Sequence, residues 1–149
     1  MISLKKNNRG FTIVELLIVI VVIGILAALV IVTYNGIQQK ARDTERKTDV
    51  KALQGQLEAY WANNAKYPTM AQVNDTTFRT NNMKGLDPAA LADPKNAGSQ
   101  ALCAATAANC YGYAVTPAGC DNGAGGDCDN YTLTATLESG GTFAVQSNN

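Results

Sequence analysis

The chain has 149 residues and no net formal charge, because 12 basic residues balance 12 acidic ones. This length supports one modest domain with an additional segment and excludes two independent hydrophobic cores. The part after Asn63 carries four basic and seven acidic residues, which argues against a dedicated nucleic-acid-binding domain because phosphate contacts need clustered Lys and Arg. The sequence has no His and no Gly-rich phosphate loop, so we predict that the chain is not an enzyme.

The N-terminal region divides into a leader, residues 1–10, and an apolar stretch, residues 11–33. The leader contains Lys5, Lys6 and Arg9 and ends at Gly10. The apolar run from Phe11 onward has about 22 residues, or roughly 33 Å of helix, which is enough to span a bilayer. It exceeds the apolar region of about 7–15 residues in a secretory signal. Because the positive charges come first, we predict a single transmembrane helix with the leader in the cytoplasm.

Glu15 is the one acidic residue in this apolar stretch. A carboxylate in hydrocarbon costs several kcal/mol, so an ionisable residue in such a segment is by default a functional one. The residues around it read Arg9-Gly10-Phe11-Thr12-Ile13-Val14-Glu15. This order indicates a processing site directly before a membrane anchor that carries a charge.

Residues 34–66 continue the helical pattern but become amphipathic. Apolar residues recur at three- and four-residue steps, at Val50, Leu53, Leu57 and Tyr60 or Trp61, which predicts a helix face that packs on a sheet. Before this stripe, residues 40–51 alternate basic and acidic side chains. We interpret this charged block either as a solvated helix face with spaced ion pairs or as a surface that contacts neighbouring copies.

The remaining sequence predicts a connecting region, residues 67–110, and a small antiparallel sheet, residues 111–149. Pro68 ends the helix, and a short helical turn is expected around residues 88–92. Strands are predicted at 111–116, 131–137 and 142–146, the last two joined by the turn at 138–141. The predicted fold class is therefore α+β: a long N-terminal helix, membrane-spanning in its first half, packs with its second half on a disulfide-stabilised antiparallel sheet.

The four cysteines lie close together, at Cys103, Cys110, Cys120 and Cys128. An even number beyond a membrane segment predicts two disulfides formed in an oxidising compartment. Zinc is the competing interpretation, but the sequence offers neither a Cys-x-x-Cys pair nor a His. Three pairings are possible; the local one joins the first two cysteines and the last two, and the sequence does not decide between them.

A loop rich in Asp and Gly surrounds the last cysteine, with carboxylates at Asp121, Asp127 and Asp129. Several carboxylates in tight turns are a calcium-binding pattern. The spacing does not match an EF-hand, and Asp, Asn and Gly are also the ordinary residues of turns. We therefore expect no cofactor, with calcium at these three residues as the alternative.

The segment from Gly10 to Leu29 resembles the N-terminus of type IV pilins and pseudopilins. The short basic leader, Gly10, Phe11, Glu15 and the run Gly24-Ile-Leu-Ala-Ala28 carry the resemblance. Many pilins have a proline at the position of Val32, where a helix would kink, so the resemblance does not extend to a curved helix here.

The resemblance implies that a prepilin peptidase cuts between Gly10 and Phe11 and methylates the new amine of Phe11. Before assembly the chain would be a single-pass protein of the cytoplasmic membrane. An assembly ATPase with its inner-membrane platform would then build a homopolymer, an extracellular pilus whose core is the helix of residues 11–33. In this family Glu15 pairs with the Phe11 amine of an adjacent subunit.

Three functions follow from these features. The first is a structural subunit of a type IV pilus that serves adhesion, twitching motility or DNA uptake, in which case nucleic acid contacts only the assembled fibre. The second is a pseudopilin of a type II secretion system, a class whose major subunit has a calcium site near the C-terminus. The third is a membrane-anchored binding module that does not polymerise.

Overall fold

The computed structural model describes residues 10–148, so the predicted leader residues Lys5, Lys6 and Arg9, and the final Asn149, lie outside the described residues. The chain divides into two compact units, Met1–Gln38 and Gln39–Asn149. We call residues 10–38 the anchor segment and residues 39–148 the head. The two units are described separately below.

One long helix, α1 (Ile13–Asn64), contributes residues to both units. It has 52 residues, which agrees with the predicted continuation of the helical pattern of the apolar stretch into residues 34–66. Its end comes two residues before the predicted bound of 66, ahead of Pro68. Ala65 adopts a φ of 54°, and a residue in this left-handed conformation ends a helix.

The head is built around one core that combines α1 with a three-stranded sheet. Val50, Leu53 and Leu57 on α1 are fully buried and belong to the same hydrophobic cluster as Leu133 and Ala135 on the sheet. The apolar stripe predicted from the spacing therefore forms the helix side of the core. Burying such aliphatic side chains stabilises the fold by about 1.5–3 kcal/mol each.

The sheet consists of β1 (Gly112–Thr116), β2 (Asn130–Thr136) and β3 (Thr142–Gln146) in the order β1-β2-β3. Both pairs are antiparallel, with Tyr113 opposite Leu133 and Leu133 opposite Val145. Alternation along β2 buries Tyr131, Leu133 and Ala135 and leaves its threonines partly exposed. The predicted α+β fold, with a long helix and a small antiparallel sheet, is confirmed.

Three tyrosines, two in or beside the sheet and one just after α1, donate through their hydroxyl groups to carboxylates of α1. The Tyr111 hydroxyl donates to Asp49 Oδ2 at 2.7 Å. Glu58 accepts from Tyr131 at 2.8 Å and from Tyr67 at 3.0 Å. Since a buried hydroxyl without a partner costs free energy, these bonds let the core hold large aromatic side chains against a helix that is polar on its flanks.

Residues 67–110, predicted as a variable connecting region, contain ordered structure and part of the core. They form two short helices, α2 (Met70–Asn74) and α3 (Thr76–Asn82), and a 3-10 helix at Pro88–Leu91, close to the expected turn at 88–92. Buried apolar residues of this region are Val73, Met83, Leu91 and Leu102. The region is therefore more than a surface connection, because its side chains complete the core beside α1.

The interpretation of residues 40–51 as a solvated helix face is wrong for Asp43 and Arg46, which are both buried. The Arg46 guanidinium binds both oxygens of Asp93, at 2.7 and 3.0 Å. It also donates to Asp43 at 2.9 Å and to Glu138 at 3.0 Å. Arg42 binds the Glu138 carboxylate through two bonds of 2.7 Å. These ion pairs join α1, the loop that carries Asp93 and the β2–β3 turn. We call the set the Arg46 network; its members are Arg42, Asp43, Arg46, Asp93 and Glu138.

The Arg46 network keeps its carboxylates ionised. Burial alone would raise the pKa of Asp43, but hydrogen bonds outweigh it and lower this pKa to about 2. The donors are the Ser139 side chain, the backbone N–H groups of Glu138 and Ser139, and Arg46. Burial likewise raises the pKa of Asp93, and the hydrogen bond from Arg46 lowers it below its usual value. Removing one partner of such a network would leave a buried charge uncompensated.

We predict that acid weakens the head through this network. A carboxylate whose pKa is lower in the folded state stabilises the fold above its unfolded pKa of about 3.9, and this contribution is lost as the pH falls toward the folded pKa. The free energy of unfolding, measured with urea on the full chain in detergent, should therefore fall between about pH 4 and pH 2.

The matched variants are Asp43→Asn, which removes a buried member of the network, and Glu45→Gln, which removes an exposed carboxylate two residues away. The Asn variant should show a clearly weaker pH dependence in this window, and the Gln variant should keep it. Identical pH profiles for the parent chain and Asp43→Asn would contradict this account of the head.

Candidate processing and assembly site

The predicted cleavage bond lies just before α1, in residues that are not helical. Gly10 and Phe11 are both exposed, and α1 begins at Ile13. A Cβ added at Gly10 would meet no other atom within 4 Å. Nothing within the described chain therefore requires a glycine here, and its small size is free to serve contact with another molecule.

Thr12 and Glu15 form a reciprocal cap at the start of α1. The Glu15 backbone N–H donates to Thr12 Oγ1 at 3.2 Å, and the Thr12 backbone N–H donates to Glu15 Oε2 at 2.8 Å. The Thr12 hydroxyl donates to the same carboxylate oxygen at 2.7 Å. This is the geometry of a capping box, which satisfies N–H groups that the first helical turn leaves open.

The cap gives Glu15 a defined place at the end of the anchor segment. One oxygen, Oε2, accepts both bonds from Thr12, while Oε1 accepts no hydrogen bond from residues 10–148. The carboxylate also lies at the N-terminus of a helix, where the backbone dipole favours negative charge. Thr12 was not among the predicted site residues, although a Thr three residues before a Glu is a sequence signal of a capping box.

The anchor segment is apolar and exposed along its whole length. Every exposed large apolar side chain of the described residues lies between Phe11 and Ile37. By length and composition, α1 is long and apolar enough to cross a membrane. An uninterrupted apolar surface of this size marks contact with a membrane or with other proteins, so the segment fits a membrane anchor.

The four cysteines form two disulfides in the head. Cys103 is bonded to Cys110 and Cys120 to Cys128, which is the local pairing of the three that the sequence allows. The first bond lies before β1, in the region predicted as a connection, and the second closes the loop between β1 and β2. Both bonds restrain segments that carry little regular structure, and such restraint acts mainly on the unfolded chain.

The three carboxylates considered for calcium are not brought together as a metal site. Asp121 Oδ1 accepts from the backbone N–H groups of Gly123 and Gly125, each at 2.8 Å, and these bonds lower the Asp121 pKa. Asp127 pairs with Lys66 at 3.0 Å. Within residues 10–148, no group of three His, Cys, Asp or Glu side chains is arranged to hold a metal ion.

Comparison with known proteins points to the same N-terminal segment. Residues 5–31 match the family model of the prokaryotic N-terminal methylation motif. The type II secretion system core protein G of Dickeya chrysanthemi is 39% identical over 69 residues, 46% of this chain and 45% of that protein. Core protein G of Escherichia coli strain K12 is 42% identical over 66 residues, 44% of this chain and 46% of that protein.

A pilin is found at a similar level of identity. The type IV major pilin protein PilA of Myxococcus xanthus is 39% identical over 67 residues, which are 45% of this chain and 30% of that protein. The chain thus spans about half the length, or less, of the curated relatives that it matches. No solved structure matches the chain significantly. The chain therefore carries the prokaryotic N-terminal methylation motif, and over its N-terminal half it is similar to type II secretion core protein G and to a type IV pilin.

Proposed function

We propose that the chain is a structural, non-enzymatic subunit of a type IV pilus. A prepilin peptidase cuts it between Gly10 and Phe11 and methylates the new amine, and an assembly ATPase with its membrane platform polymerises it. The observation that carries the proposal is an exposed apolar anchor segment, residues 10–38, whose only carboxylate, Glu15, stands at the end where cleavage would create an amine. Before assembly the chain is a single-pass membrane protein, and after assembly it is part of an extracellular fibre.

Glu15 supplies the register of the polymer in this proposal. Its Oε2 is used by the cap of its own helix, and Oε1 remains open for a donor from outside the described residues. The positively charged amine of Phe11 on an adjacent copy is such a donor. Two single charges in lipid are costly, and pairing them relieves both while fixing one axial position. The apolar side chains around the two charges pack equally well at several axial offsets between neighbouring helices, so they do not set the register.

A second candidate function is a pseudopilin of a type II secretion system. The core protein G relatives favour it, since several of the matched proteins carry that name. The two disulfides of the head fit both functions, because each places the head in an oxidising compartment. The two functions share the membrane anchor, the cleavage and the polymer, and differ in where the filament ends.

The first prediction of this proposal concerns the assembly charge. Glu15→Gln keeps the size and much of the hydrogen bonding of the side chain but removes its charge. It should leave cleaved subunit in the membrane and lower the yield of sheared filaments by about tenfold or more, since a loss of 1.4 kcal/mol is already a factor of ten. Glu45→Gln, an exposed carboxylate of the same helix, is the control and should assemble normally. Normal filament yield from Glu15→Gln would overturn the role of this residue.

The second prediction concerns processing. Gly10→Val adds a branched side chain at a position where the chain itself has open space, so folding should be unaffected. If a peptidase needs close access at this bond, the variant should accumulate with its leader attached. Intact mass measurement decides the matter: the parent should lose residues 1–10 and gain one methyl group on Phe11. An unchanged mature mass in Gly10→Val would show that Gly10 is not required for cleavage.

The third prediction separates the pilus from the alternatives. Filaments sheared from the cell surface should contain this chain beginning with N-methyl-phenylalanine at residue 11. Short periplasmic filaments together with a secretion defect on deletion would instead indicate the pseudopilin function. A mature chain that is found only as dispersed subunits in the membrane would indicate the non-polymerising binding module.

A further inference from the structure

The four basic residues after Asn63 divide into two that are ion-paired and two that are not. The two pairs are Lys66 with Asp127 at 3.0 Å and Lys95 with Glu138 at 3.0 Å. Arg79 and Lys84 have no carboxylate at ion-pairing distance among residues 10–148. In a part of the head where acidic residues outnumber basic ones, two uncompensated cations near each other are unexpected.

Both of these cations line the same cavity beside α3. The cavity has a volume of about 210 Å³. Thr76 and Thr80 also line the cavity, and the remaining lining residues, Met83, Leu86 and Pro88, are apolar. We call this the Arg79 cavity. Its lining combines cationic and apolar side chains and contains no acidic residue.

Arg79 is held in place without being neutralised. Its side chain is buried, with a residue exposure of 7%. One terminal nitrogen donates to the Val73 carbonyl oxygen at 2.7 Å and the other to the Thr76 hydroxyl at 3.3 Å. Both acceptors are uncharged, so they orient the guanidinium but leave its charge without a counterion. A buried charge of this kind is costly unless something pairs with it.

The Arg79 guanidinium has five N–H groups and uses two of them within the described residues, so its Nε–H is one of three donors that remain for a ligand. The Nε–H makes no hydrogen bond within residues 10–148. No fully buried side-chain nitrogen or oxygen of the described residues lacks a partner, so this nitrogen keeps some access to solvent. The guanidinium is therefore fixed by two bonds on one side and can donate from another.

The carboxylates adjacent in sequence to the lining residues, Asp75 and Asp87, cap helices. Asp75 Oδ1 accepts from the Phe78 backbone N–H at 2.6 Å and caps α3. Asp87 Oδ1 accepts from the Ala89 backbone N–H at 2.9 Å and caps the 3-10 helix. Since neither lines the Arg79 cavity, no carboxylate of the cavity wall competes with an incoming anion.

We propose that the Arg79 cavity binds a carboxylate on a short apolar stem. The carboxylate accepts from Arg79, whose charged donors form the strongest type of hydrogen bond with carboxylates. Lys84 adds a second charge, and Met83 and Leu86 contact the stem. The cavity volume of about 210 Å³ leaves room for a short-chain acid. A free short-chain acid and the acidic side chain of a second copy share this chemistry.

The test uses the full chain in a zwitterionic detergent, labelled with ¹⁵N, and the Nε–H resonance of Arg79. Sodium butyrate should shift this resonance in a saturable way at millimolar concentration. Butanol, which has the same stem without the charge, should not shift it, and inorganic phosphate should bind more weakly than butyrate. A further shift on raising the protein concentration alone would identify the carboxylate as one from a second copy, and its absence would identify a free acid.

Two variants test the charges separately. Lys84→Gln, at an exposed position with no structural bond among those described, should weaken butyrate binding about threefold to fivefold. Lys47→Gln, an exposed lysine of α1 outside the cavity, is its control and should bind as the parent chain does. Arg79→Lys keeps the charge but loses the fixed fork of donors, so butyrate should shift the backbone amide resonances of the lining residues Thr80 and Met83 much less than in the parent chain. The Val73 amide signals report whether the head is intact.

Three results would overturn the proposal. The first is no saturable shift of the Arg79 Nε–H resonance with butyrate. The second is an equal shift with butanol, which would show an apolar cavity without anion recognition. The third is equal affinity for phosphate and butyrate, which would show charge attraction without the apolar subsite.

Discussion

The central physical constraint on this chain is an apolar helical surface that the described structure leaves exposed. From Phe11 to Ile37 all the large apolar side chains are exposed. At about 25 cal/mol per Å² of apolar surface, leaving such a segment in water is not a stable arrangement. The surface must be covered by lipid or by other copies of the same helix. A subunit that moves from a membrane into a filament satisfies the constraint in both states, since one apolar environment replaces the other.

The apolar surroundings determine the role of the Glu15 carboxylate. In water it would be an ordinary helix-capping residue. In an apolar environment its charge must be compensated, and the cap from Thr12 compensates only one of its oxygens. Cleavage after Gly10 would create a positive amine four residues before Glu15 along the chain. The Glu15 charge makes the segment costly to place in an apolar environment. The same charge can therefore select one stagger of neighbouring helices among many that bury the same apolar surface.

The head follows the opposite principle, because its charges are compensated within the chain. Arg46 is 1% exposed and contacts carboxylates from three separate segments. Together with the bonds from tyrosine hydroxyls to Asp49 and Glu58, this network connects the polar side of α1 to the rest of the head. Such connections define one geometry, since a half-satisfied buried network is more costly than none.

The sequence predicted elements that depend on local pattern and missed contacts that depend on distant residues. The absence of proline and the spacing of Val50, Leu53 and Leu57 sufficed for α1, and alternation sufficed for β2. The burial of Arg46 could not be predicted, because its partners Asp93 and Glu138 lie 47 and 92 residues away.

The short helices within residues 67–110 and the residues of the candidate site at the N-terminus could be predicted in part from the sequence. Thr69 and Gln72 form a capping box, and Asp75 and Asp87 cap the next two elements, all of which are local signals. The burial of Val73 and Leu91 is not local, since it requires knowing which face meets the core. At the N-terminus, Gly10, Phe11 and Glu15 were predicted, and Thr12 could have been added from its spacing to Glu15.

The most direct test of the central claim is a distance measured between two copies in assembled filaments. Filaments would be assembled from a mixture of chains, one population labelled with ¹⁵N at the Phe11 amine and the other with ¹³C at the Glu15 side-chain carboxylate carbon. Solid-state NMR should detect a dipolar coupling that corresponds to about 4 Å, the separation of an ion pair, in this mixed sample. A coupling that appears only when both labels are in the same chain would show that Glu15 does not pair between copies and would contradict its role in setting the register.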